Sequence, residues 1–274
     1  MRSPDSTKPL LPPVYISSLH YPWATIEEAC ARCSRQLMLD GVEFSVRDVA
    51  GGRHLPPQEA EGAGRTAREY DLRISVHVWD DLPQLGREEG VALLGRYLNM
   101  LCRMRASYLV LHGGSHDDRS EGLRCVRSIL AEAAGRFEGA GKTICLENHY
   151  AYDYHQSHEL FSTPEEYEEL FDSVQSPAIR ACLDYGHSHM NNNTEDMLSR
   201  LAPHLAYVHL ADNAGVNDDH VAFGAGTIDW QRILRRTHEV GYNGPFTIEF
   251  PVSGPDDPVL RRCLGLLRTV YARA

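Results

Sequence analysis

Thr143-Ile-Cys-Leu-Glu147 is a short apolar run that ends on a carboxylate, and the pattern returns at Arg180-Ala-Cys-Leu-Asp184, Ala206-Tyr-Val-His209 and Pro245-Phe-Thr-Ile-Glu249. A buried strand gains nothing by finishing on a charge unless that end opens into a site, because an unpaired buried carboxylate is costly. Two Glu, one Asp and one His converging on one point would make a divalent-cation site. Helical patterns separate the runs, which places all four residues at the carboxyl rim of a parallel barrel.

Working outward, strand-like and helix-like patterns alternate along the whole chain. Strands are expected at Val14–Leu19, Val42–Val46, Ile74–Val78, Tyr108–Leu111, Thr143–Leu146, Ile179–Leu183, Ala206–Leu210 and Phe246–Phe250. Helices are expected at Ile26–Leu37, Gln58–Tyr70, Glu88–Arg105, Leu123–Phe137, Glu195–Leu201, Trp230–Val240 and Val259–Ala272. A further one starts at Thr163-Pro-Glu-Glu166, where Thr163 caps, Pro164 takes the first position and Glu166 completes a capping box. The pattern predicts a single α/β domain, a (β/α)₈ TIM barrel over residues 14–274, behind a flexible Pro-rich arm at residues 1–13. The long connections His149–Ser162 and Asn213–Ile228 follow strands on the proposed active rim, where functional loops belong.

Composition narrows the class. At 274 residues the chain suits one such barrel. No apolar run reaches the roughly 20 residues that span a membrane. A net charge of -11, with lysine only at Lys8 and Lys142, argues against a nucleic-acid surface. The seven cysteines are odd in number and scattered, several of them inside apolar runs, which is the pattern of reduced thiols in a cytoplasmic protein. Cys30 and Cys33 form a C-x-x-C pair, but one inside a predicted helix and without a second pair.

Glu147 and Glu249 are the expected catalytic pair. Strands five and eight lie on different sides of a closed barrel, so their carboxylates can approach a central ligand from opposite faces. Proton transfer at a carbon next to a carbonyl needs that arrangement, with a metal to stabilise the enediolate. With Asp184 and His209 they form an oxygen-rich set that suits one Mn²⁺, Co²⁺ or Mg²⁺ at least as well as Zn²⁺. Glu43, inside the second strand, faces either the barrel interior or a buried Arg partner. Trp23, Trp79, Tyr150 and Tyr152 on rim loops either stack on a sugar face or pack under their own loops.

Leu-Glu-Asn-His at 146–149, Asp-Tyr-Gly-His at 184–187 and His209-Leu-Ala-Asp-Asn…His220-Val-Ala-Phe-Gly-Ala-Gly-Thr-Ile-Asp-Trp230 resemble the xylose-isomerase-like TIM-barrel superfamily. That group holds sugar isomerases and epimerases, inosose dehydratases and abasic-site nucleases of the endonuclease IV type. The resemblance implies that Glu147, Asp184, His209 and Glu249 hold the metal and that His187 contacts a substrate oxygen beside it. Members with three zinc ions add further ligands, and His77, His112, His187, Asp218 and His220 can fill those positions. The same five side chains can instead hydrogen-bond sugar hydroxyls.

The Gly224-Ala-Gly226-Thr-Ile-Asp229-Trp230 ending and the Thr163-Pro-Glu-Glu segment resemble the isomerase and dehydratase branch. Some epimerases carry an Arg shortly after the strand-seven His, where this chain reads Ala214-Gly-Val-Asn-Asp218. The expectation is a divalent-metal-dependent isomerase or epimerase acting on a small polyhydroxylated keto-sugar or cyclitol. A dehydratase or a multinuclear zinc phosphoesterase is the alternative, and oligomeric state is left open.

Overall fold

The computed structural model describes residues 11–21, 23–47, 54–254 and 256–272. Eight parallel strands close into a barrel in sequence order: β1 (Val14–Ser17), β2 (Gly41–Ser45), β3 (Arg73–Val78), β4 (Tyr108–His112), β5 (Thr143–Glu147), β6 (Ile179–Asp184), β7 (Leu205–Leu210) and β8 (Phe246–Ile248), with β8 pairing back to β1. Around it run α1 (Ile26–Ala31), α2 (Ala60–Glu69), α3 (Leu82–Met104), α4 (Arg119–Gly139), α5 (Pro164–Ser173), α6 (Tyr185–Met190), α7 (Thr194–Leu201), α8 (Trp230–Glu239) and α9 (Pro258–Tyr271). The expected TIM barrel is the observed fold.

Of the arm expected over residues 1–13, residues 1–10 lie outside the described residues. The Pro13 carbonyl accepts a hydrogen bond from Phe246 N at 2.9 Å. All seven cysteines are free thiols. Cys33 donates its S–H to the Gly41 carbonyl at 3.1 Å, and burial pushes the Cys30 thiol up to about 12, so the C-x-x-C pair is packing.

Strand parity sorts the core into two parts. On β5, Ile144 and Leu146 face the helices in the large outer cluster, whereas Cys145 faces inward. Tyr15, Val110, Cys145, Cys182 and Tyr207 form that small interior cluster. Successive strand side chains alternate faces, so residues two positions further on share the interior face. Two residues beyond Val110, Cys145, Cys182 and Tyr207 come His112, Glu147, Asp184 and His209. On the same parity, Ser75 precedes His77 and Thr247 precedes Glu249. The barrel interior therefore becomes a ring of ionisable groups at its carboxyl end.

Besides α1, which gives way to a π-helical turn over Arg32–Gln36 where one helix to Leu37 is expected, three helices differ from expectation. α3 begins at Leu82 because Asp81 caps it, accepting from Gln84 N at 3.3 Å; Gly86, at φ 74°, kinks it and masks its periodicity. α4 begins at Arg119, where the Asp118 side chain accepts from Glu121 N at 2.9 Å. The third, α6, has too few residues to show a period. Its start is Asp184 itself, whose carboxylate caps the helix.

Candidate metal and catalytic site

The parity-selected side chains meet over the barrel axis. His209, fully buried on β7, directs Nδ1 between Glu147 Oε1 of β5 (3.1 Å) and Glu249 Oε2, just beyond β8 (3.2 Å). Its other nitrogen, Nε2, lies 3.2 Å from Glu43 Oε2. Ligand-capable atoms of Glu147, Asp184, His209 and Glu249 all fall within 4.8 Å of one another, and all four residues are buried. Asp184 Oδ2 has no hydrogen-bond partner in this setting. An orphaned buried carboxylate oxygen within a set of three carboxylates and one imidazole fits a hard or borderline divalent cation.

Asp184 is held by local geometry. Asn148 donates Nδ2–H to the Asp184 carbonyl (3.1 Å) and accepts from Asp184 N through Oδ1 (2.7 Å). The Asp184 carboxylate accepts from His187 N at 2.7 Å, a helix N-cap. The Asp-x-x-His spacing thereby places His187 one turn into α6. There its Nδ1 lies 2.8 Å from the Asn148 carbonyl and its Nε2 lies 3.3 Å from Asp218 Oδ2.

The remaining candidates gather on the same rim. His77 Nε2 lies 3.2 Å from Glu147 Oε2, and His112 Nε2 lies 3.4 Å from the same oxygen. His77, His112 and Glu147 form a second group whose ligand atoms fall within 4.8 Å of one another. Asp218 sits between two rings, 3.3 Å from His187 Nε2 and 3.3 Å from His220 Nε2. His220 turns its other edge to the Glu249 carbonyl, with Nδ1 at 2.7 Å.

Charge is balanced among these groups. Burial opposes a proton on His77, yet the carboxylates of Glu147, Glu249 and Glu43 hold its pKa up at about 9. His209 is raised well above the ordinary histidine value against the same burial, by Glu147, Glu249 and Glu43. Burial would raise Glu147 and Glu249, but His209 leads the imidazoles that hold both below the usual carboxylate range. Asp184 goes the other way, to about 6, because burial outweighs its favourable neighbour His187.

The sequence patterns leave two contributors without a role. Asn148 clamps Asp184, and His149 stacks on His187 with ring centroids 4.6 Å apart. Both sit in the Leu-Glu-Asn-His motif, so a signal was there. Glu43 takes the interior setting of its two expected ones, with His209 and His77 as its buried partners. The rim aromatics pack locally. Trp79 stacks on His77 at 4.4 Å, Trp23 donates to the Ser18 carbonyl at 2.7 Å, Tyr150 packs on His149 at 3.9 Å, and the Tyr152 hydroxyl donates to the His116 carbonyl at 2.7 Å.

The long stretch after β7 is clasped by its own acidic side chains. Asp212 accepts from Gly224 N (2.7 Å) and Trp230 Nε1 (2.8 Å), and Asp229 caps α8 by accepting from Arg232 N at 3.1 Å.

The family model described as "Xylose isomerase-like TIM barrel" matches residues 34–270. An uncharacterized protein of Methanocaldococcus jannaschii is 26% identical over 217 residues, spanning 73% of this chain and 71% of its own. A ketose 3-epimerase of Arthrobacter globiformis is 24% identical over 256 residues, spanning 87% and 82%. Among solved structures, a D-tagatose 3-epimerase-like protein superposes with a TM-score of 0.75 at 21% identity, covering 95% of this chain and 97% of that one.

Proposed function

Because the chain belongs to the xylose isomerase-like TIM-barrel family, we propose that it is a divalent-metal-dependent isomerase or epimerase of a small keto-sugar or cyclitol. The observation that carries this reading is the approach of Glu147 and Glu249 to one nitrogen of His209, at 3.1 and 3.2 Å, from separate strands. Two carboxyl groups flanking one point can divide a proton transfer. The ionised one takes the proton from the carbon beside the carbonyl, and the other, in its protonated form, gives its proton to the opposite face. His187, stacked on His149, would hold the reacting hydroxyl. Glu147, Asp184, His209 and Glu249 would hold the ion, which when bound supplies positive charge for the enediolate. The resemblance to a ketose 3-epimerase supports the substrate class.

A second reading has its own observation. His77, His112 and Glu147 form a further ligand group. Asp218, lying 3.3 Å from both His187 and His220, could contribute to a third. Such a site would be that of a multinuclear phosphoesterase, since clustered ions clamp both attacking and leaving oxygens.

The test is exchange chemistry with free ketoses and keto-cyclitols. An isomerase or epimerase incorporates solvent deuterium at the substrate's α-carbon. Release of water with an absorbing enone would point to a dehydratase, and cleavage of an abasic-site duplex without any exchange would replace the first reading with the second.

A further inference from the structure

We infer that Glu43 is a positioning residue for the metal centre, acting through His209. The inference rests on the proposed metal reading but on no particular substrate. Glu43 stands on β2, fully buried, one interior position below Ser45 and therefore one layer beneath the rim. Its Oε2 lies 3.2 Å from His209 Nε2, while His209 Nδ1 faces Glu147 and Glu249. The ring thus has a carboxylate on each edge, and the edges differ in kind. The Nδ1 edge faces the group of Glu147, Asp184 and Glu249, whereas the Nε2 edge faces Glu43, which with His77, His209 and Glu249 forms a further ligand-capable group.

An imidazole that ligates an ion gives it a lone pair from one nitrogen and carries its proton on the other. Here the geometry assigns the lone pair to Nδ1 and the proton to Nε2, donated to Glu43. That bond fixes the tautomer and the ring rotation, and it raises the basicity of the ligating nitrogen. The edge-on contact of Tyr207 with the His209 ring, at 5.5 Å and 83°, bounds the same rotation from below. Tyr207 is itself held, with its hydroxyl 2.6 Å from Ser75 Oγ and 2.7 Å from Thr247 Oγ1.

Glu43 has a second contact on the rim. Its Oε1 has no hydrogen-bond partner and lies 3.8 Å from His77 Nδ1, which is likewise without one. A carboxylate buried without a Lys or Arg ion pair among the described residues is costly unless imidazoles answer it. Its retention inside the barrel therefore points to the rings above it, not to packing. A Leu or Val would fill that volume at lower cost.

The experiment compares wild type with Glu43→Gln, which keeps the volume and an acceptor oxygen, and with Glu43→Ala. The first readout is Co²⁺ affinity on the folded protein, by titration of its visible absorption. The second is the ¹⁵N signature of the His209 ring in the Zn²⁺-loaded protein. The expected result is a 10–100-fold loss of affinity in both variants. In wild type Nε2 carries the proton and Nδ1 the metal signature, and the Nε2 proton exchanges faster in Glu43→Ala. A purely structural role would lower the melting temperature yet leave affinity unchanged. Affinity within twofold of wild type in Glu43→Gln, or a metal on Nε2, would overturn this inference alone. Failure of the wild type to bind any divalent ion would overturn it together with the metal reading.

Discussion

Asp184 and His187 are joined by a hydrogen bond of 2.7 Å from the His187 backbone N–H to the Asp184 carboxylate. One residue therefore ends a strand, starts a helix and offers its free oxygen to the candidate site. The two roles can be separated by substitution. Asp184→Asn keeps a side-chain oxygen for the cap and removes the charge; Asp184→Ala removes both. The Asn variant should fold with a stability within about 1 kcal/mol of wild type, as cap energies allow, yet lose most of its divalent-ion affinity. Thermal melts and Co²⁺ titration read the two effects independently. An Asn variant that binds the ion as well as wild type would remove Asp184 from the ligand set.

Glu147→Gln and Glu249→Gln bear on the proton-transfer assignment. Each substitution preserves shape and an acceptor oxygen near His209, at 3.1 and 3.2 Å respectively in the native pair, but removes the charge that makes a base. A positioned general base contributes about 10²–10⁴-fold, so turnover should fall at least about a hundredfold in each variant, with circular dichroism unchanged. Retention of near-wild-type turnover by both would exclude the two-carboxylate mechanism.

The sequence disclosed the barrel because each strand is an apolar run and each ligand sits at a run's end, as Glu147 does after Leu146. It disclosed less about α6, because the signal there is one capping carboxylate and not a period. The role of Asn148 was hidden because its contacts with Asp184 cross from β5 to β6. The partner of Glu43, His209, is hidden for the same reason, 166 residues away on β7. Interior-facing parity is readable in a strand, but which interior groups touch depends on barrel closure.

Gly226 has a steric duty in the clasp after β7. A Cβ there would fall 2.2 Å from both the Asn213 carbonyl oxygen and Asp212 Oδ1. Asp212 cannot yield without losing its bonds to Gly224 N and Trp230 Nε1. Gly226→Ala should destabilise the protein by about 1–3 kcal/mol, the usual cost of overpacking. Gly254→Ala, where nothing lies within 4 Å, is the control and should be near neutral. Equal melting temperatures for the two variants would contradict the clasp.

Asp257 should shape the acid limb of stability. Burial would raise its pKa, but hydrogen bonds from Ser253 N (2.8 Å), Ser253 Oγ (2.8 Å) and Val259 N (2.8 Å) hold it below the usual carboxylate range. The folded value lies below the unfolded one of about 3.9. Its contribution is therefore full above about pH 4 and is lost as pH falls through the folded value. Asp257→Asn should be less stable than wild type at pH 7 and show a smaller loss of melting temperature from pH 5 downward. Parallel curves for the two proteins would show that Asp257 contributes nothing to the acid limb.

Metal removal separates the two functional readings by stoichiometry and charge. Glu43, Glu147, Asp184 and Glu249 bring four carboxyl groups into a buried ring answered by imidazoles. A bound divalent ion would relieve that repulsion and stabilise the folded state by mass action, about 2.7 kcal/mol at a hundredfold excess over Kd. For a chain of this size that is a rise of roughly 5–10 °C in melting temperature. Protein stripped with a chelator should lose activity and melt lower, and Mn²⁺ or Co²⁺ should restore both. One divalent ion is more than neutralised by the three carboxylates of Glu147, Asp184 and Glu249, which leaves no excess positive charge and suits a neutral polyol. Three ions would also draw in His77, His112, His187, Asp218 and His220, leaving excess positive charge that suits a phosphodiester. Elemental analysis of protein purified without added metal should therefore give near one ion per chain; near three zinc ions would overturn the isomerase reading in favour of the phosphoesterase.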